Sequence, residues 1–162
     1  MEYLDIYDIN GNKTGKTIAR GDKNFGENEY IKLATIWIKS MGKYLIQKCS
    51  EDKGSEYAVT GGHVSAGNTP IKQASIELEE ELGLNVPPDE FTLLGSIIRG
   101  HAIFDVFIFE DDSLINKTFT LQKSEVEDIL WLDQNQIDNL KDKNLRPSTI
   151  LQFDKFIKGK DI

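Results

Sequence analysis

Three glutamates near the middle of the chain have the types and the spacing needed to bind a divalent cation. Glu77, Glu80 and Glu81 stand at positions i, i+3 and i+4, and side chains at those offsets are neighbours on the surface of a helix. Like charges held this close repel each other, whereas Mg²⁺ and Mn²⁺ favour carboxylate oxygens as ligands. The spacing therefore fits a metal site, and it fits a solvated acidic helix face about equally well.

The residues around the glutamates predict the helix that would carry them. Thr69 is a typical N-cap residue, Pro70 suits the first helical position, and Gly83 suits the residue that ends a helix. On a helical wheel the apolar side chains between these limits form one stripe, with Glu81 at its edge and Glu77 just beyond. The wheel places the carboxylates on one flank but does not show that they face a site.

Residues 62–84 resemble the Nudix box, the signature of hydrolases that cleave a diphosphate linked to another group. The positions that match the pattern are Gly62, Glu77, Leu78, Glu80, Glu81, Gly83 and Leu84. Two positions depart from it, because Asn68 stands in place of a glutamate and Ile76 in place of the arginine that orients the glutamates. The resemblance implies that all three helix glutamates bind Mg²⁺ or Mn²⁺ and that Glu80 and Glu81 are also catalytic. Loss of the orienting arginine predicts weakened activity.

The same resemblance asks for a general base outside the box. The candidates are Glu125 and Glu127, in a segment that an acidic loop explains equally well. The residues expected to bind substrate are Gly61, Gly62, His63 and Arg99. The glycines there, with Gly67, would let a backbone approach metal or phosphate closely. Each has a structural alternative: the glycines as turn residues, His63 as a hydrogen-bonded loop histidine, and Arg99 as a surface arginine.

The likeness continues outside the box. Residues 4–15 and 31–50 resemble the Nudix subgroup related to isopentenyl-diphosphate isomerase. Relatives tend to carry arginine where Cys49 stands, which puts one phosphate contact in doubt. The isomerase itself needs a catalytic cysteine in a different local setting, so isomerase activity is not expected.

Composition restricts the partners of the chain. Its 162 residues are 39% hydrophobic and 28% charged, with a net charge of −8, which is ordinary for a soluble globular protein with one core. The acidic balance argues against a general nucleic-acid binder. No apolar run approaches the ~18 residues of a membrane-spanning helix, and the first residues do not resemble a signal peptide. We expect a cytoplasmic protein, a monomer or a homodimer, that acts on a small diphosphate molecule.

Local patterns predict the elements that must position the glutamates. An Asn-Gly turn predicts a hairpin over residues 4–19. Further strands are predicted over residues 30–39, 44–48, 58–60, 91–99, 101–110 and 127–132, and helices over residues 133–140 and 147–157. With the resemblance, this order implies the α/β class: a Nudix-like α/β/α sandwich with a mixed sheet and an N-terminal β-hairpin, in one domain spanning residues 1–162.

Two functions fit these observations. The first is a metal-dependent hydrolase of a diphosphate linkage in a small nucleotide-type or isoprenoid-type substrate. The second is a non-catalytic module that binds a diphosphate ligand or a partner on the same scaffold. The retained glutamates favour the hydrolase, whereas Cys49, Asn68 and Ile76 favour the binding module.

Overall fold

The computed structural model describes residues 1–161 and shows a mixed β-sheet between helices. The strands are β1 (Tyr3–Tyr7), β2 (Lys13–Ala19), β3 (Ile31–Ser40), β4 (Lys43–Cys49), β5 (Tyr57–Ala58), β6 (Thr60–His63), β7 (Thr92–Arg99), β8 (Ala102–Glu110) and β9 (Val126–Leu132). The helices are α1 (Pro70–Leu82), α2 (Gln134–Asn139) and α3 (Pro147–Gln152), the last continuing as a π-helical turn over Phe153–Ile157. No helix within residues 1–161 is both long and apolar enough to cross a membrane.

The strands form a hairpin and one larger sheet. β1 and β2 pair antiparallel as the predicted hairpin. The main sheet has the order β5-β4-β3-β8-β7, with β6 paired to β3 and β9 paired to β4. β3 and β8 run parallel, whereas β7 runs antiparallel to β8. The mixed sheet and the N-terminal hairpin confirm the predicted fold class.

The main sheet has an apolar core on each face, because alternate residues of a strand point to opposite faces. On β3, Ile36 and Ile38 pack with Leu78 and the other apolar residues of α1. Trp37, between them, packs on the opposite face with residues of the C-terminal helices, including Phe153. The two cores account for the continuous burial of β3 and β8, and they make the sandwich that the sequence predicted.

Helix α1 begins and ends at the residues expected from sequence. The Thr69 hydroxyl accepts a hydrogen bond from the Lys72 amide, and Pro70 occupies the first helical position. Gly83 ends the helix in the left-handed conformation with φ of 66°, and its amide donates to the Glu79 carbonyl. These capping residues set where α1 begins and ends, and therefore where the three glutamates lie along the helix.

The glycine pair before α1 lies in a strand and not in a turn. The sequence placed the end of the preceding strand at residue 60, but β6 continues through Gly61 and Gly62 to His63. β3 pairs with β4 only through Lys39 and Ser40. The remainder of that edge of β3 is therefore available for β6.

Candidate functional site

Four of the five predicted carboxylates line one polar cavity between β6 and α1. Glu77, Glu80, Glu81 and the more distant Glu125 all lie on its wall, which we call the acidic cavity. The spacing of Glu77, Glu80 and Glu81 in the sequence explains why these three lie together, because it places them on one flank of α1. Glu125 arrives from the segment before β9, so only the fold brings it to the others.

Glu81 is held inside the protein. Its side chain is nearly buried, with 7% of its surface exposed, and the Gln47 side-chain amide donates to its Oε1 at 3.1 Å. The hydroxyl of Thr60 in turn donates to Gln47. Burial, followed by a hydrogen bond with the Glu77 carboxyl, raises the pKa of Glu81 to about 9. Glu81 is therefore part of the site wall and not of a solvated helix face.

Glu77 is oriented by a neutral side chain. Gln73, one turn earlier on α1, donates from its Nε2 to Glu77 Oε1 at 2.9 Å. The Oε1 of Gln73 accepts from the Asn68 side-chain amide at 2.9 Å and from the Ser65 backbone amide at 3.1 Å. The sequence predicted that Glu77 and Glu80 had lost the charged neighbour that orients them. For Glu77 the structure shows a neutral partner instead, because Gln73, held by Asn68, donates to its carboxylate.

Close packing explains both glycines of β6. A Cβ atom on Gly61 would lie 2.5 Å from the backbone carbonyl oxygen of Ala34 on β3. A Cβ atom on Gly62 would overlap the carboxylate of Glu77. The glycines let α1 and β3 approach β6 closely, so a plain turn does not account for them.

These overlaps predict different outcomes for two alanine substitutions. Gly61→Ala should lower the free energy of unfolding by ~1–3 kcal/mol, because its Cβ meets backbone that cannot turn aside. Gly62→Ala should cost less stability, because the Glu77 side chain can move away, but it should weaken Mn²⁺ binding. Urea unfolding and calorimetric titration with Mn²⁺ measure the two effects. Unchanged Mn²⁺ affinity in Gly62→Ala would contradict the packing of Gly62 against a ligand.

The chemistry of this cavity fits a divalent cation. Two carboxylates in hydrogen-bond contact, as Glu77 and Glu81 are, repel each other unless a proton or a cation lies between them. Glu80, beside them, is exposed and lines the same cavity. As they stand, no three Asp, Glu, His or Cys side chains within residues 1–161 are gathered closely enough to hold an ion.

A second cavity, which we call the inner cavity, adjoins the acidic cavity. The wall shared by the two is formed by Arg20, Gly61, Gly62, His63, Glu81 and Glu125. The inner cavity is also lined by Lys53 and Arg146, so basic groups gather here in an otherwise acidic protein. Burial, followed by the charges of Arg20, Lys23 and Lys53, lowers the pKa of His63 to about 4. At this pKa the His63 ring is uncharged near pH 7, and it lies beside the basic groups of the inner cavity.

The remaining predicted residues separate into two groups. Glu125 lines both cavities and lies 3.5 Å from the Lys53 ammonium group, whereas Glu127 pairs with Lys48 away from them. Arg99 lines neither cavity, so its contact with substrate stays a prediction that the two cavities do not support. It is exposed at the end of β7, beside the turn that leads to β8.

Arg146 supplies a guanidinium group close to Cys49. Its Nη2 lies 3.4 Å from the Cys49 Sγ, and its Nε donates to Glu56 at 3.2 Å. Arg146 thus brings positive charge next to Cys49, at the end of β4. Burial outweighs this neighbouring charge and raises the pKa of the Cys49 thiol.

Sequence reasoning missed Arg146 and three glutamines: Gln47, Gln73 and Gln152. Of these, only Gln73 carried a local signal, because it stands four residues before Glu77 on the same helix. Gln47 and Glu81 are 34 residues apart, and Cys49 and Arg146 are 97 apart. Strand pairing and core packing bring these partners together, and no short motif encodes either.

Comparisons with known proteins agree with this architecture. A family model described as the NUDIX domain matches residues 33–153. Nudix hydrolase 3 of Arabidopsis thaliana is 30% identical over 159 residues, which cover 88% of this chain but only 20% of that protein. The chain thus spans about a fifth of that relative. An uncharacterized Nudix hydrolase of Listeria monocytogenes is 27% identical, with 87% of this chain and 85% of that protein covered.

Solved structures share the fold. A crystal structure from Deinococcus radiodurans has a TM-score of 0.77 at 16% identity, covering 97% of this chain and all of that one. A MutT NUDIX hydrolase from Burkholderia pseudomallei has a TM-score of 0.62 at 17% identity, over 76% of this chain and 95% of that one. At these identities the likeness establishes the architecture alone.

Proposed function

The chain belongs to the Nudix family, and from this premise we propose that it is a metal-dependent hydrolase of a diphosphate linkage in a small nucleotide-type or isoprenoid-type substrate. The family supports a hydrolase, and Nudix hydrolases generally use divalent metal ions. The observation that carries the proposal is the gathering of Glu77, Glu80, Glu81 and Glu125 on the wall of one polar cavity. Two adjacent carboxylates, one of them buried, are costly unless a proton or a cation compensates them, and a bound cation would displace the proton.

In this proposal Glu77, Glu80 and Glu81 hold Mg²⁺ or Mn²⁺. Such a cation neutralises diphosphate charge and activates water at neutral pH. Gln73 and Gln47 keep the Glu77 and Glu81 carboxylates in fixed orientations through the hydrogen bonds described above. Fixed ligands reduce the rearrangement needed when substrate arrives.

The other residues bind the anion and move a proton. Arg20, Lys53 and Arg146 line the inner cavity and supply positive charge for the phosphates. Water attacks phosphorus, the bridging P–O bond breaks, and Glu125 accepts the proton that the water releases. We propose Glu125 and not Glu127 as this base, because Glu125 alone of the two lines the cavities.

Metal binding tests the ligand assignment. Glu80→Gln should weaken Mn²⁺ binding by at least the ~10-fold that loss of an outer hydrogen-bond partner costs a metal site. Glu79→Gln is the matched control, because Glu79 is an exposed neighbour on the same helix that lines neither cavity. Calorimetric titration measures both. Equal affinities for Mn²⁺ in the two variants would remove Glu80 from the site.

Phosphate release tests the reaction itself. Incubation with a panel of nucleoside and isoprenoid diphosphates should release phosphate with Mg²⁺ or Mn²⁺ and should stop when EDTA removes the metal. Binding of a diphosphate without turnover of any panel member would replace the hydrolase with the diphosphate-binding module. Isomerase activity is not expected, so the likeness to the isomerase-related subgroup does not change the product predicted for this assay.

A further inference from the structure

The N-terminal hairpin holds the loop that joins β6 to α1. This loop, which we call the box loop, spans residues 64–69, and two of its backbone amides donate to β1. The Ala66 amide donates to the Tyr3 carbonyl at 2.8 Å, and the Gly67 amide donates to the Asp5 Oδ2 at 2.9 Å. The hairpin and the box loop are therefore joined by one bond to backbone and one bond to a side chain.

Gly67 has the backbone conformation that its bond to the hairpin requires. Its φ of 88° lies in the left-handed region, which glycine adopts without steric cost, and it lines neither the acidic cavity nor the inner cavity. The acceptor, Asp5, also pairs with the Lys13 ammonium group at 3.0 Å. A hydrogen bond to a charged acceptor of this kind is roughly twice as strong as one between neutral groups.

The box loop determines which end of the Gln73 amide faces Glu77. The Ser65 backbone amide and the Asn68 side-chain amide both donate to Gln73 Oε1, at 3.1 and 2.9 Å. Because a backbone amide can only donate, the Gln73 oxygen must face the loop, and its Nε2 then faces the Glu77 carboxylate. Without the donors of the loop, the amide could turn over and place its oxygen against the carboxylate. The position of the loop therefore controls the orientation of Glu77.

We propose that Asp5 is a positioning residue for the metal site, because it holds the box loop that sets Gln73 against Glu77. This inference rests on the proposed function, because it takes Glu77 as a metal ligand. The hairpin precedes residue 33, where the match to the NUDIX domain begins. A segment outside the matched domain thus supports a proposed ligand inside it.

Amide hydrogen exchange in the metal-free protein tests the bond between the hairpin and the box loop. Asp5→Ala removes the acceptor, so the Gly67 amide should exchange on the order of tenfold faster. Asp5→Asn keeps an oxygen acceptor and should restore most of the protection. Lys13→Met removes the ion pair but keeps the Asp5 carboxylate, and should leave Gly67 exchange unchanged. Exchange of Gly67 at the wild-type rate in Asp5→Ala would overturn the inference.

Calorimetric titration with Mn²⁺ tests whether the effect reaches the metal site. Asp5→Ala should weaken Mn²⁺ affinity about three- to tenfold, at or below the lower end of what loss of an outer partner costs a metal site. Asp5→Asn and Lys13→Met should bind Mn²⁺ with close to wild-type affinity, because each keeps an acceptor for Gly67. Unchanged affinity in Asp5→Ala would overturn the proposal, and so would equal losses in Asp5→Ala and Asp5→Asn.

A double-mutant cycle with Gln73→Met separates positioning from general damage. Gln73→Met removes the amide that the box loop orients, so adding Asp5→Ala should cause no further loss of Mn²⁺ affinity. Any contribution of Asp5 to stability, measured by urea unfolding, should persist in that background. Additive losses of Mn²⁺ affinity would make Asp5 structural and overturn its positioning role. Asp5→Val, which suits a strand, replaces Asp5→Ala in every comparison if the alanine variant does not fold.

The same titrations distinguish this inference from the proposed function. Failure of the wild-type protein to bind Mn²⁺ would overturn the proposed function and this inference with it. Wild-type binding of Mn²⁺ that does not change in Asp5→Ala would overturn this inference alone.

Discussion

Replacing Glu81 by glutamine is expected to lower kcat by at least about a hundredfold, the smaller end of what losing one preorganised electrostatic group costs an active site. Glutamine fills the same space and can still bond to Gln47, but it lacks the negative charge that the proposed metal site needs. Steady-state kinetics with a diphosphate substrate and Mg²⁺ measure the loss. The matched control, Glu79→Gln, should retain full activity because Glu79 is exposed and lines neither cavity.

The same substitution should stabilise the metal-free protein. Glu81 is 93% shielded from solvent and lies against the Glu77 carboxyl, so the folded state bears the cost of burying an acid beside another acid. Glu81→Gln removes that cost and should raise the free energy of unfolding by on the order of 1 kcal/mol, the gain typical when a strained functional residue is replaced. Urea unfolding with EDTA present provides the measurement. Lost activity with lost stability would instead indicate a structural role for Glu81.

Local signals were sufficient for the helix that carries the site. Thr69, Pro70 and Gly83 act within one helical turn of themselves, so their effect on the ends of α1 could be predicted from neighbouring residues alone. The burial of β8 on both faces agrees with the apolar residues that stand on either side of Asp105 in that strand. Helices and strands whose ends and burial depend on neighbouring residues could therefore be predicted from the sequence.

Long-range pairing was not predictable from the same signals. β6 extends through two glycines because one edge of β3 is left open by β4, a fact that no residue near Gly61 or Gly62 encodes. Arg146 reaches Cys49 across 97 residues, and Thr35 reaches Gln152 across 117. Glutamines are also easily overlooked, because a neutral amide has no charge pattern or motif until its partners are known. The support of the candidate site therefore appeared only in the structure.

Gln73 provides the second large expected effect, because it now orients Glu77. Gln73→Met retains the volume but removes the amide that donates to Glu77 and accepts from Asn68. Loss of such outer support should weaken Mn²⁺ affinity and kcat/KM by roughly 10–100-fold. If the hydrogen bond is what matters, Gln73→Ala should lower Mn²⁺ affinity and kcat/KM about as much as Gln73→Met does. If packing matters, Gln73→Ala should lower them much more than Gln73→Met. Lys72→Ala, an exposed neighbour on α1, is the control and should change neither quantity.

Ile76→Arg should raise Mn²⁺ affinity only in a variant that lacks the Gln73 amide. Ile76 lines the acidic cavity together with Glu77 and Glu80, so a guanidinium group placed there can pair with the glutamates. In the wild type, Gln73 already orients Glu77, and Ile76→Arg should add little or compete with the metal for the carboxylates. In the Gln73→Met background the arginine should recover part of the lost Mn²⁺ affinity. A double-mutant cycle measures this coupling directly, and strictly additive effects would mean that glutamine and arginine do not perform the same task.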